Sequence, residues 1–228
     1  MIDFSKVSSV TIPEGSVIKI SDSEGVVYWQ KDNVNIPYEG VDLGLNSGTI
    51  WANCNIGALE PQDIGKYFAW GETKGYSSVT NDKKFNWNDY KFSQDGSYRI
   101  FTKYNTTDGL MTLDASDDAA SIWMGKEWKI PTIEQLEELN SLDTSLVKMN
   151  GIYGRMFNGK NGNTLFFPMN GNLKNGVGEG IGAFGRYWTK SRHEQVAYSW
   201  SLAFNSSLVK TLYNMRSLGQ CIRGVKKK

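Results

Sequence analysis

One histidine occurs in the chain, His193, and a glutamate follows it directly. Imidazole changes charge near neutral pH and a carboxylate can orient it, so the two residue types form a common general acid–base couple. Neighbours in an extended segment point to opposite sides, so His193 and Glu194 do not converge on one proton. Local spacing places no serine or cysteine beside His193, which leaves it no nucleophile to activate. The surrounding stretch, GRYWTKSRHEQVAYSWSLAFN over 185–205, suits a different chemistry. Arginine and aromatic side chains together offer wide contact area with few torsions to freeze, as binding surfaces require. Aromatic rings also stack on the apolar faces of sugars. The expected site is therefore a display surface made of Arg186, Tyr187, Lys190, Arg192, His193, Glu194 and Gln195, joined by Asn214 and Arg216 from the following strand.

Other residues capable of chemistry are less promising. Asp108, Asp114, Asp117 and Asp118 gather carboxylates in a short span. Calcium needs several oxygens around one point, and DASDD (114–118) lacks the glycine and terminal glutamate of a helix–loop–helix calcium site. Helix capping explains these residues more simply. Cys54 and Cys221 form no CxxC pair, so no zinc site is expected. They are either two buried thiols or one disulfide. The glycine-rich GNLKNGVGEGIGAFG (171–185) reads as a loop and carries no GKS or GKT for phosphate. No cofactor and no metal are expected.

These groups need a scaffold of 228 residues, enough for one or two domains. The chain holds 24 glycines, 8 tryptophans, 11 tyrosines and 10 phenylalanines, which favours turns joining short strands. A net charge of +1 creates no field for nucleic acid, and no apolar run is long enough to span a membrane. The basic end, 226–228, reads as a disordered tail. The opening MIDFSKVSSVTIPEG lacks a basic region followed by an apolar run, so no secretory leader is expected there.

Residues 7–36 alternate apolar and polar positions around PEG and DSEG turns, predicting three short strands in a small N-terminal unit over 1–37. TIWANCNIG (49–57) is a strand candidate. Residues 72–121 are polar and irregular, and read as a long insertion anchored by Phe85, Trp87, Tyr90 and Phe92. The clearest helix begins at Thr132, with Gln135 completing a capping box and Ile133, Leu136 and Leu139 on one face. A shorter helix is predicted over 117–125. NGKNGN (158–163) predicts a hairpin leading into the buried strand 165–168. AYSWSLAFN (197–205) alternates strictly, so Tyr198, Trp200, Leu202 and Phe204 are expected to share a core face, with Trp188 as a framework residue.

In order along the chain, VDLGLNSGTIWANCNIG (41–57), YFAWGETKGY (67–76), WKIPTIEQLEEL (128–139), GRMFNGKNGNTLFFPMNG (154–171), GRYWTKS (185–191) and LGQCIRGV (218–225) resemble the Fibrobacter succinogenes major paralogous domain. That family is common in gut Bacteroidetes and is related in fold to formylglycine-generating enzyme and C-type-lectin-like domains. The resemblance covers 38–225 and implies an α+β fold with short twisted antiparallel strands, one or two helices and long loops, following the all-β N-terminal unit. It also implies that the first and last strands of the domain lie together, which would make Cys54 and Cys221 neighbours able to form a structural disulfide. It does not bring oxidase chemistry, because no nearby cysteine pair is present. The Glu-Pro-Asn signature of calcium-dependent lectins is absent too.

The last forty residues also resemble the variable proteins of diversity-generating retroelements, which present varied residues on this type of scaffold. The functional expectation is a non-enzymatic binding or display protein that meets a cell-surface protein or glycan through its C-terminal surface. The N-terminal unit would connect it to a phage or cell-surface assembly. The expected locations are a phage virion, the cytoplasm before release, or the extracellular side. The rival readings are an enzyme acting on a surface polysaccharide and an assembly subunit with no ligand of its own.

Overall fold

The computed structural model describes residues 19–21, 27–30, 38–78 and 82–228. The architecture is mixed α+β, with two helices and several short antiparallel strands in open sheets. In the N-terminal unit β1 (Lys19–Ser21) pairs with β2 (Val27–Gln30), Ile20 opposite Trp29. The first of the three strands expected there lies outside the described residues. No helix among the described residues is long and apolar enough to cross a membrane.

β3 (Gly40–Asp42) and β4 (Thr49–Ala52) pair antiparallel, and β13 (Val225–Lys227) closes the other side of β4 with Val225 opposite Trp51. The first and last strands of the domain, β3 and β13, thus lie in one sheet, on either side of β4. The basic end is not the expected tail. Lys226 and Lys227 stand opposite Ile50 and Thr49, where β4 pairs their backbone. Lys226 lies 4.7 Å from the Trp128 ring and 3.2 Å from Glu127, while Lys228 reaches Asp42 at 3.0 Å. Ladder bonds and nearby carboxylates give these cations an ordered place that composition alone does not reveal.

The helix starts follow local chemistry. Asp118 caps α1 (Ala119–Met124) by accepting from Ser121 N–H. Thr132 and Gln135 close the predicted capping box on α2 (Ile133–Asn140), which buries Leu136 and Leu139. β5 (Asp143–Met149), β6 (Ile152–Asn158) and β7 (Thr164–Pro168) form an antiparallel meander through the predicted 158–163 turn. The expected loop at 171–185 contains a hairpin instead, β8 (Asn172–Lys174) with β9 (Val177–Glu179). Its two turn residues, Asn175 and Gly176, adopt φ of 51° and 78°, the left-handed pair that a tight hairpin demands.

β10 (Gly185–Arg192), β11 (Tyr198–Phe204) and β12 (Val209–Met215) make the last sheet, with β11 central. Helix α2 packs against all three strands. β10 bulges: Thr189, Lys190 and Ser191 intervene where Trp200 alone separates their partners on β11. The extra residues turn outward from the ladder. Lys190 N–H donates to Pro131 O at 2.8 Å, its carbonyl accepts from Leu113 N–H at 3.0 Å, and Ser191 Oγ accepts from Ile133 N–H at 3.2 Å. One bulge thereby ties the sheet to α2 and to the insertion.

The insertion is irregular, as expected, and is nailed down by Phe85, Tyr90, Phe92, Phe101, Tyr104 and Leu113, all buried in the common core. Two arginines lie wholly inside that core. Arg223 donates to Asn55 Oδ1 at 2.8 Å, to the carbonyls of Ala52, Asn53 and Phe166 at 3.1, 2.8 and 3.1 Å, and sits 4.4 Å over the Phe167 ring. Arg216 donates to Tyr90 OH at 3.0 Å and to the carbonyls of Tyr104, Val196 and Lys103 at 2.8, 2.7 and 3.3 Å. Its guanidinium is flanked by the rings of Trp70, Tyr90 and Phe101. Neither arginine has a carboxylate partner among the described residues.

Replacing Arg223 leaves buried acceptors from β4 and β7 without donors, each costing about 1–3 kcal/mol. Arg223→Met is expected to lower unfolding stability by about 3 kcal/mol or more, read from denaturant midpoints. Arg223→Lys keeps the charge but cannot aim donors along the guanidinium fork, so it should fall nearer to Arg223→Met than to the wild type. A lysine variant of wild-type stability would refute this account.

Candidate recognition surface

The register of β11 and β12 decides which side chains meet. Trp200 stands opposite Tyr213, Tyr198 opposite Met215, and Leu202 opposite Thr211, all on one face of the sheet. α2 covers the inner half of that face, where Asn140 Nδ2 donates to Thr211 Oγ1 at 2.9 Å and Leu202 and Phe204 are buried. The outer half is not covered. Tyr198 and Trp200 are half-buried there and Tyr213 is 46% exposed.

His193 completes this outer half. Its ring lies 4.1 Å from Tyr213 at a 30° tilt and 4.8 Å from Trp200, edge to face. Tyr198 and Trp200 each meet the Tyr213 ring edge to face, at 5.4 and 5.8 Å. The four rings brace one another in arrangements that aromatic quadrupoles favour. The turn that carries the histidine is closed by three hydrogen bonds. His193 N–H donates to Tyr198 O, Tyr198 N–H to Gln195 O, and Gln195 N–H to His193 Nδ1, at 3.1, 2.9 and 3.1 Å. An Nδ1 that accepts is unprotonated, so in the neutral ring the proton sits on Nε2.

The polar atoms of this cluster differ from those of the buried tyrosines. Among the described residues, the four buried tyrosines have bonded hydroxyls: Tyr67 to Asn170 O, Tyr90 to Trp70 O, Tyr104 to Asp117 and Tyr187 to Pro168 O. By contrast, Tyr198 OH, Tyr213 OH, Trp200 Nε1 and His193 Nε2 have no hydrogen-bond partner among the described residues. These four groups are held in place by ring packing and left available at their tips.

The structure assembles only part of the expected display surface. His193, Glu194 and Gln195 belong to it, with Glu194 and Gln195 exposed on the turn. Tyr187 does not: it is buried, stacked on Phe204 at 6.0 Å, with its hydroxyl on Pro168 O. Arg192 is buried as well, donating to Leu110 O at 3.0 Å and to the carbonyls of His193 and Glu194 at 3.1 and 3.3 Å. It fixes the turn from beneath and contacts nothing outside. Arg216, expected at the surface, is 0% exposed because carbonyls of 103, 104 and 196 surround it.

The remaining three expected residues face elsewhere. Asn214 is half-buried on the opposite side of the sheet, donating to Ser201 Oγ at 2.8 Å. Arg186 pairs with Ala203 on that same side and lies over the Phe184 ring at 4.5 Å. Lys190 is half-buried on the bulge.

Tyr198 and Trp200, read as core from their alternation with Leu202 and Phe204, are only half-buried, while Ser199 and Ser201 opposite are fully buried. The usable signal was residue type. The covered half of the strand carries Leu and Phe, which have no polar atom, and the open half carries Tyr and Trp, which do.

The acidic cluster is consumed by structure. Asp117 is bonded to Lys91, Lys103 and Tyr104 at 2.7, 2.6 and 2.7 Å, and Asp114 to Lys103 at 2.6 Å. Asp108 accepts from the N–H groups of Tyr104, Asn105 and Leu110, and Asp118 from those of Ser121 and Ile130. Capping, the expected role, holds for Asp118 alone; Asp108 closes a loop, and Asp114 and Asp117 pair with lysines that stand where a cation would have to. Among the described residues no three His, Cys, Asp or Glu side chains are grouped to hold a metal ion. Burial raises the Asp117 carboxyl, but the hydrogen bonds from Lys103, Lys91 and Tyr104 outweigh it and leave the group below the usual carboxylate range.

The cysteines are not bonded to each other. Cys54 and Cys221 are buried free thiols whose Sγ atoms reach Ala58 O at 3.4 Å and Ile64 O at 3.3 Å. Burial pushes the Cys54 thiol up to about 11 and the Cys221 thiol up to about 12.

Two measurements follow from these environments. A thiol reagent should react slowly with the native protein and, without reductant, with both cysteines once it is unfolded; a disulfide would leave neither reactive. Asp117→Asn should cost about 1.5–3 kcal/mol near neutral pH, the range for hydrogen bonds to a charged group. Because the folded carboxyl titrates below its unfolded value of about 3.9, that stabilisation is complete above about 3.9 and is lost as pH falls through the folded value. Acid unfolding curves of the two proteins should therefore converge at low pH.

Compared with known proteins, the chain matches no family model, no curated protein and no solved structure.

Proposed function

We propose that the protein is a non-enzymatic recognition domain of the C-type-lectin-like kind, which meets a cell surface through the outer half of the β10–β12 sheet. The observation that carries this reading is the braced cluster of His193, Tyr198, Trp200 and Tyr213, whose four polar tips lack partners among the described residues. Half-exposed Tyr and Trp held rigidly by neighbours lose little entropy when a ligand arrives, a property of residues that dominate binding energy. The fold assignment draws support from the motif order of the major paralogous domain, from the pairing of β4 with β13, and from the long insertion packed by its aromatics. Fold alone does not carry the function, which rests on the site.

On this reading the N-terminal unit over 1–37 is the connector to a phage or cell-surface assembly. The C-terminal segment is a display region of the retroelement-diversified type, and a reverse transcriptase gene beside a near-repeat of the 3′ coding region would establish that origin. The recognition reading itself is tested on cells. Fluorescently labelled protein should bind gut Bacteroidetes cells, and Trp200→Ala and Tyr213→Ala, assayed well below their own unfolding midpoints, should each weaken binding about tenfold or more. Equal binding by both variants would move the site away from this face.

A further inference from the structure

We infer that Gln220 binds an internal water molecule through its side-chain amide, where the 218–222 segment meets the 67–70 segment and β10. Gln220 is 0% exposed, and neither its Oε1 nor its Nε2 has a hydrogen-bond partner among the described residues. Exchanging the two ends of the amide changes nothing, because both lack a partner. Two other amide side chains, Asn55 and Asn170, are also at 0% exposure and show what this fold ordinarily provides. Asn170 accepts from Arg186 N–H and donates to Arg186 O, both at 2.7 Å. Asn55 accepts from Arg223 Nε at 2.8 Å and donates to Ile64 O at 2.9 Å. Burying an amide with neither end bonded is so unfavourable that such groups are matched, with few exceptions, by protein or by ordered water.

The backbone keeps the Gln220 side chain from turning out to solvent. Gln220 N–H donates to Phe68 O at 3.0 Å, and Gln220 O accepts from Phe68 N–H at 2.9 Å. Residues that exchange both bonds stand directly opposite in an antiparallel pair, so the two side chains share a face. Phe68 meets Trp123 of α1 edge to face there, at 6.0 Å. Trp188 closes the junction from β10. Its Nε1–H also donates to Phe68 O, at 2.9 Å, and its N–H donates to Cys221 O at 3.0 Å. Leu218 and Ile222, two positions to either side of Gln220, are buried as well.

Water answers the chemistry of this amide better than any other small species. The amide presents an acceptor at Oε1 and two donor protons at Nε2, and water donates to the first and accepts from the second. A buried water needs two to four partners. The amide supplies up to two, and backbone carbonyls, with two lone pairs each, are the ordinary source of the rest. An ion would exchange its hydration for one neutral amide among apolar side chains, a far larger cost. A larger solute reaches a residue at 0% exposure only when a wide part of the core opens, whereas water enters through small local openings.

The experiment reads the water directly on the full chain. A high-resolution crystal structure should show an ordered oxygen about 2.7–3.2 Å from Gln220 Oε1 or Nε2. In solution, the Nε2 protons should give nuclear Overhauser cross-peaks at the water frequency, with the sign of contacts inside the protein. Gln220→Met keeps the length of the side chain and removes both polar ends. It should lose the ordered oxygen while position 220 stays paired with the Phe68 backbone. An amide bonded to a protein group would overturn the inference, as would an amide with neither an ordered oxygen beside it nor a water cross-peak. An oxygen that persists unchanged in Gln220→Met would overturn it too, because other groups would then hold it. Should Gln220→Met fail to fold, the density and the cross-peaks of the unmodified protein decide alone.

Discussion

Two guanidinium groups, closed off from water and lacking any carboxylate among the described residues, hold the architecture together. A buried cation is tolerated only when its donors are met, and here carbonyl oxygens and aromatic faces meet them. Arg223 gathers the end of β4, the Asn55 side chain and the middle of β7 around one planar fork. Arg216 gathers the insertion at 103–104, the Tyr90 hydroxyl and the Val196 carbonyl. Each collects segments that are distant in sequence and have no ladder in common. In a domain with so much irregular backbone, such hubs perform the alignment that long strands perform elsewhere.

The same economy shapes the outer half of the last sheet. The outer half of β11 and β12 has no cover, yet its turn is fixed from below by Arg192 and Arg216 and closed by the Nδ1 of His193. Side chains pointing outward are thus positioned by groups that never reach the surface. The histidine that invites an acid–base reading has one nitrogen engaged by its own turn and its ring engaged by two neighbours. Its geometry is that of a group that holds its own turn.

Much of the scaffold could be read from local sequence, because local rules formed it. The Thr132–Gln135 capping box, the 158–163 hairpin and the buried 165–168 strand are each written within a few residues. The β8–β9 hairpin was equally local, and its Asn175–Gly176 turn was hidden in a run of glycines that reads as a loop. What local sequence did not reveal depends on contacts across the chain. Arg216 reads as surface because charged residues are seldom buried, and the acceptors that reverse this for it come from positions as remote as 103 and 196. Strict alternation in 197–205 marks two faces without saying where α2 stops, so it could not separate the covered Leu202 and Phe204 from the open Tyr198 and Trp200.

The division between Leu202 and Phe204 on the covered side and polar-tipped rings on the open side has an evolutionary consequence. Selection on folding acts on the inner half of the sheet, on the arginine hubs and on the bulge that joins β10 to α2. On the proposed reading, selection on recognition would act on atoms that have no hydrogen-bond partner among the described residues. The two pressures would then fall on different side chains of the same strands, so outer positions could change while the inner ones keep the backbone beneath them.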